Sequence, residues 1–98
     1  MFEILFAEGA IGDLKDLPKS RRNTIVGAIE RSLSTAPLTA SRNRKELTGL
    51  VPPWDQVRPV WQLRVGDYRV FYDADPDGSV VIVQAIRHKA RKTTGEIL

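Results

Sequence analysis

The sequence predicts an α+β domain in which a small antiparallel sheet, an N-terminal strand plus a three-stranded C-terminal meander, packs against an N-terminal helical hairpin. Three observations predict it. Apolar residues recur at helical spacing through residues 11–33. The stretch "WQLRVGDYRVFY", Trp61 to Tyr72, reads as two strands joined by Gly66-Asp67. The run "SVVIVQAI" is almost continuously apolar and rich in β-branched residues, as a strand buried on both faces is. With 98 residues, the chain is one domain, 1–98, with a single modest core.

The elements follow in order. "FEILFA" is a short apolar run and the first strand. In "AIGDLKDLP", Ile11, Leu14 and Leu17 fall on one helical face, and Pro18 ends that helix and opens the next. The second helix carries Ile25, Val26, Ile29 and Leu33 on one stripe, with Arg21, Arg22, Glu30 and Arg31 away from it. Pro37 ends it at about Ala36. Residues 39–58 read as an irregular, proline-containing connection that presents basic side chains, with "ELTGL" packing locally and Trp54 read as packing in preference to recognition. Val60 to Val65 and Tyr68 to Asp73 form the hairpin, with Gly first in its turn as a type II′ turn prefers. "DADPDGS" is an acidic turn rather than a metal loop, and "TTGEIL" is a short terminal helix.

Strand alternation assigns faces. Val65 with Tyr68, Leu63 with Val70 and Trp61 with Tyr72 form the side that meets the helices. Arg64 with Arg69, and Gln62 with Phe71, form the open side. On the last strand, Ile82 and Ile86 are expected inward, with Arg87 and Lys89 joining the Arg64/Arg69 face. Like charges directly opposite each other cost stability. An anion between them explains their retention, since the planar donor fork of arginine matches phosphate. Phe71 nearby would offer a base a stacking surface. On charge pattern alone, the same side chains also read as an ordinary solvated face.

Composition narrows the chemistry. No cysteine is present, which excludes disulfides, thiolate metal sites and a cysteine nucleophile. A single histidine, His88, cannot form a histidine cluster; at a strand end it reads as a candidate general base or as a solvated group. No metal site and no cofactor is expected. No run of about 18 apolar residues exists and the N-terminus lacks a basic leader, so a cytoplasmic protein without membrane association is expected. The net charge is +3. Its basic residues gather at Arg42, Arg44 and Lys45, at Arg58 to Arg69, and at Arg87, Lys89, Arg91 and Lys92, the footprint of a polyanion or acidic-peptide partner.

At these residues the chain resembles the RelE/ParE superfamily of toxins from type II toxin–antitoxin systems. The resemblance covers the opening strand, the helical hairpin, "ELTGL", "WQLRVGDYRVFYD", the valine-rich strand and "IRHK"; its most specific piece is "LRVGDYRVFY". It implies a toxin neutralised by a cognate acidic antitoxin, with operator DNA bound only through that complex. In its RelE-like form the toxin enters the ribosome and cleaves mRNA without a metal, as an mRNA interferase that inhibits translation and arrests growth. The hairpin arginine of the family maps onto Arg69, and its basic residue after the last strand onto Lys89, with Arg64 retained and Arg87 and His88 adjacent. The resemblance thus nominates Arg69, Arg64, Lys89 and His88 for catalysis. Arg42, Arg44, Lys45, Gln62, Phe71, Arg87, Arg91 and Lys92 are nominated for nucleic-acid or antitoxin binding. Val60 and Gln62 stand where RelE-like ribonucleases carry lysines, and Thr93, Thr94 and Gly95 where those enzymes carry a tyrosine. A ParE-like inhibitor of DNA gyrase, or a weakly active member that acts mainly as an antitoxin-binding module, therefore remain the alternatives.

Overall fold

The computed structural model describes residues 1–49, 51–54, 58–89 and 94–97. Strand β1 (Glu3–Phe6) is followed by helices α1 (Glu8–Lys15) and α2 (Lys19–Leu33). Strands β2 (Arg44–Leu47), β3 (Val60–Val65), β4 (Tyr68–Asp75) and β5 (Val80–His88) come next, and α3 (Thr94–Ile97) is the last described element. The five strands form one sheet in the order β1-β5-β4-β3-β2. The α+β architecture, the helical hairpin and the meander agree with the sequence reading. No helix among the described residues is long and apolar enough to cross a membrane.

Three details differ. First, β1 pairs with β5 in parallel, so the sheet is mixed. Second, β2 lies within the expected connection and pairs antiparallel with β3. Its sequence, Arg-Lys-Glu-Leu, has no apolar alternation because β2 is an edge strand, held by backbone bonds to β3. Third, β5 changes face halfway along. Phe71 pairs with Ala85 but Tyr72 pairs with Val83, so Gln84 is an extra residue, a β-bulge. Before the bulge, Val81 and Val83 face the helices; beyond it, Ile86 does. The inward placement expected for Ile82 is therefore overturned, while that of Ile86 stands, because one inserted residue inverts the alternation.

The helical hairpin is tight because α2 caps α1. Arg22 donates from Nε to the Leu14 carbonyl and from a terminal nitrogen to that of Leu17, each at 3.1 Å. The Leu14 carbonyl lies in the last turn of α1 and also accepts the Leu17 N–H at 3.1 Å, and Leu17 lies in the link between the two helices. Helix α2 stops at Leu33, three residues before the expected Ala36, with Ser34 as its C-cap. Ile25, Ile29 and Leu33 on α2 meet Trp61, Leu63, Val70, Tyr72, Val81 and Val83 in the main core, as the stripe and the hairpin pairing require. Ile11 of α1 remains 42% exposed and takes no part in that core.

Two polar groups anchor the segment after α2. The Tyr72 hydroxyl donates to the Pro37 carbonyl. Arg44 donates from Nε to the Thr39 carbonyl at 3.1 Å and from a terminal nitrogen to that of Ser32 at 3.2 Å. Burial pushes the Tyr72 hydroxyl well above the ordinary tyrosine range, with Arg44 acting weakly in the opposite direction. An unfolded chain loses this proton near pH 10, whereas the fold keeps it. Stability from Tyr72 is thus complete below about pH 10 and is lost as pH rises further. Tyr72→Phe should lower stability at neutral pH by about 1 kcal/mol, or ~4–8 °C in Tm. The difference between variant and wild type should shrink above about pH 10, measured by thermal melts across pH.

Candidate functional site

The Gly66-Asp67 turn places the arginine pair. Gly66 has φ +58 and Asp67 is not in the left-handed region, as a type II′ connection requires. The resulting register sets Arg64 opposite Arg69, Gln62 opposite Phe71 and Leu63 opposite Val70. Arg64 is exposed and Arg69 half-buried. One terminal nitrogen of Arg69 donates to the Gly66 and Tyr68 carbonyls, both at 2.9 Å, and this holds the guanidinium at the turn. Desolvation by burial and then repulsion from Arg64 draw the Arg69 pKa below its ordinary value, with Asp67 partly opposing them. Arginine nevertheless stays charged at any physiological pH.

These side chains line a cleft of about 190 Å³ with Gln62, Lys89, Ser41, Arg42, Asn43, Arg44 and Lys45. Its far wall is the chain entering β2: the Arg64 N–H donates to the Asn43 carbonyl at 2.8 Å. Lys89 reaches the cleft because its backbone N–H, donating to the Asp67 carbonyl at 2.8 Å, ties the end of β5 to the hairpin turn. Two ion pairs are present among the described residues, Arg58–Asp75 and Arg87–Asp13. Neither involves Arg64, Arg69, Lys45 or Lys89. No group of three metal-ligating side chains occurs among the described residues.

The nominated residues do not all converge here. Arg42, Lys45, Gln62, Arg64, Arg69 and Lys89 do. Arg44 borders the cleft, but its side chain is committed to the carbonyls of Ser32 and Thr39. Arg87 shares the row of Arg69 yet is paired with Asp13 on α1. His88 is the register partner of Tyr68, on the helix-facing side, with ring centroids 5.0 Å apart. The last strand brings Lys89 to the arginines and turns His88 away, because neighbouring residues on a strand face opposite sides. Phe71 is fully buried, and the stacking surface expected of it is absent. It sits under Val60, Ala85 and Ile97, with Leu47 and Trp54 packed alongside, in a second core on the sheet face that the sequence reading left open. Arg91 and Lys92 lie outside the described residues.

Gln62 is also nearly buried, and its Oε1 accepts a hydrogen bond from the Thr94 hydroxyl at 3.2 Å. Ser41 and Asn43 were not singled out from the sequence. Their only signal was turn chemistry before "RKEL", which does not reveal the pairing of β2 with β3. The arrangement suits an anion with several oxygens: the guanidinium groups of Arg42, Arg64 and Arg69 and the ammonium groups of Lys45 and Lys89 on one rim, with no acid among the lining residues.

Replacing Arg64 with Thr removes the cross-strand repulsion and suits an exposed strand position. Thermal melts of Arg64→Thr should show a protein as stable as wild type or more stable by up to about 1 kcal/mol. A marked fall in Tm would mean that Arg64 has a structural partner.

Comparison with known proteins is consistent with this geometry. The family model described as the ParE toxin of type II toxin–antitoxin systems, parDE, matches residues 4–93. A search of curated proteins returns no match. Among solved structures, RelE in the archaeal RelE–RelB complex of Pyrococcus horikoshii OT3 superposes with a TM-score of 0.70 at 19% identity, covering 92% of this chain and 97% of that one. The RelBE2 toxin–antitoxin complex of Mycobacterium tuberculosis gives 0.67 at 25% identity, covering 89% and 96%. The isolated E. coli RelE toxin gives 0.64 at 18% identity, covering 88% and 82%. The match over almost the whole length assigns the chain to the ParE toxin family, within the RelE/ParE superfamily of type II toxin–antitoxin toxins.

Proposed function

We propose that this toxin acts on RNA, as a metal-independent, ribosome-dependent endoribonuclease whose substrate phosphate lies in the Arg64/Arg69/Lys89 cleft. The observation that carries the proposal is the convergence of these three cations, none of them in an ion pair among the described residues, from β3, β4 and the residue after β5 onto one hollow. In such a cleavage the 2′-oxygen of the ribose attacks phosphorus as its proton departs. The bond to the 5′-oxygen breaks as that oxygen takes up a proton from an acid, leaving a 2′,3′-cyclic phosphate and a 5′-hydroxyl. Charge grows on the phosphoryl oxygens, and preorganised cations stabilise it. Arg69, held by the turn carbonyls, and Arg64 supply that field. Lys89 is the described cleft residue best suited to move a proton, since arginine stays protonated. His88 faces the other side of the sheet and has no direct path to the phosphate.

A second reading is ParE-like inhibition of DNA gyrase without catalysis. Two observations favour it: the matching family model is that of ParE, and the proton-transfer candidates in the cleft among the described residues are two lysines, Lys45 and Lys89, without a histidine or a carboxylate. A weakly active toxin that serves mainly to bind antitoxin belongs to the same class of outcome. In each case the partner is an acidic antitoxin chain, by analogy with the RelE–RelB complexes, covering the basic rim and binding operator DNA only as that complex. The site of action is the cytoplasm.

Induction should arrest growth, and transcript 5′ ends should show new cuts within translated frames. Arg69→Ala should abolish both while preserving the melting curve. An unchanged 5′-end map with DNA-damage signalling would instead establish the gyrase reading. The adjacent gene product should co-purify at low salt and dissociate as salt rises.

A further inference from the structure

One row of the sheet carries three arginines. Arg64, Arg69 and Arg87 are register neighbours on β3, β4 and β5. Only the first two line the cleft. The third is drawn to α1, where one carboxylate oxygen has two donors. Asp13 Oδ2 accepts the backbone N–H of Ile86 at 2.9 Å and a terminal nitrogen of Arg87. The first contact satisfies the edge of β5 beyond the end of β1, whose last partner there is Val83. The second holds a cation that strand alternation would otherwise set beside Arg69. Both side chains of the pair are about one-third exposed or less, 34% for Arg87 and 27% for Asp13, so water screens the pair only in part. Desolvation by burial and then the charge of Arg64 lower the Arg69 pKa.

We infer that Asp13 is a positioning residue that sets the charge of the cleft: by holding Arg87 against α1 it keeps the third arginine of the row off a bound phosphate backbone. The inference rests on the phosphate reading of the cleft. It makes α1 part of the anion site although no residue of α1 lines it. The carboxylate and a phosphate compete for the same guanidinium, and in the free protein the carboxylate holds it.

The test uses the intact chain and a short fluorescein-labelled single-stranded RNA, with anisotropy read across a salt series. Asp13→Asn retains a carbonyl oxygen for the Ile86 N–H and removes the charge that holds Arg87. Its binding should steepen with salt by about 0.7 in the log–log slope, one phosphate contact on a single strand, which is about fivefold tighter at ~0.1 M salt. Asp13→Asn/Arg87→Met should return to wild-type affinity and slope, because Arg87 contributes nothing while it is clamped. This double variant decides the matter even where the single variant melts early. If Arg64→Ala weakens binding but Asp13→Asn leaves slope and affinity unchanged, or if the double variant binds more weakly than wild type, the clamp is overturned and the cleft reading stands. If wild type binds without salt dependence, or Arg64→Ala binds as wild type does, the cleft reading falls and the inference falls with it.

Discussion

Pairing between β3 and β4 is the constraint on which the rest depends. The two-residue Gly66-Asp67 turn leaves no freedom in how the strands meet, because Gly66 supplies the positive φ that a tight connection needs. Trp61, Leu63, Val65, Tyr68, Val70 and Tyr72 then lie on one side and close the main core against α2. A slip of one residue would turn Arg64 and Arg69 into that core and place Leu63 and Val70 in water. Burying two unpaired guanidinium groups would cost more than the whole net stability of a domain this small. The same register that builds the core thus forces two like charges to face each other on the opposite side. Their repulsion is the consequence of a hairpin that has no alternative arrangement.

The two sheet faces are more alike than alternation alone suggests. The far face is closed at its centre by Trp54 and Ile97 over Val60, Phe71 and Ala85. It is open at the end where Arg64, Arg69 and Lys89 emerge. A basic site at the rim of a covered sheet differs from one on a bare sheet. It adjoins the packed second core on one side, and Gln62, which lines it, is hydrogen-bonded to Thr94 at the start of α3. Integrity of the cleft is therefore coupled to the docking of α3. Loss of that helix would expose Phe71 and release Gln62 together.

Both helices, the hairpin and its register were legible in the sequence because each rests on a local signal: a periodic apolar stripe, a proline between helices, a glycine in a turn. Parts that depend on non-local pairing were not legible. Strand β2 is polar and short, and its place was decided by β3, not by its own residues. The parallel partnership of β1 required knowing where β5 would lie. The bulge at Gln84 left no mark in "VVIVQAIRH", a run apolar enough to fit either alternation. That one extra residue explains a mixed outcome on a single strand, with Ile82 outward as Ile86 remains inward. Phe71 was misread for a related reason. Alternation placed it on the far face correctly, but nothing local showed that Trp54 and Ile97, far away in sequence, would cover that face.

The site was legible to a similar degree. Arg64, Arg69 and Lys89 follow from hairpin geometry and strand parity, and the structure brings them together. Arg44 and Arg87 share the charge of their neighbours, yet each is held by a partner that composition cannot reveal: the carbonyls of Ser32 and Thr39 for Arg44, Asp13 for Arg87. The distinction matters physically. A cation bonded to carbonyls or to a carboxylate must break that contact before it can serve a ligand, so its contribution to binding is the difference between two interactions. Counting basic residues overstates the field that an incoming phosphate meets. Among the described residues, Arg42, Lys45, Arg64, Arg69 and Lys89 line the cleft outside any ion pair, Arg69 being bonded to the carbonyls of Gly66 and Tyr68, whereas Arg87 is paired from the helix side. The row of three arginines sets like charges side by side, and the Asp13 carboxylate offsets one of them while the turn carbonyls hold another.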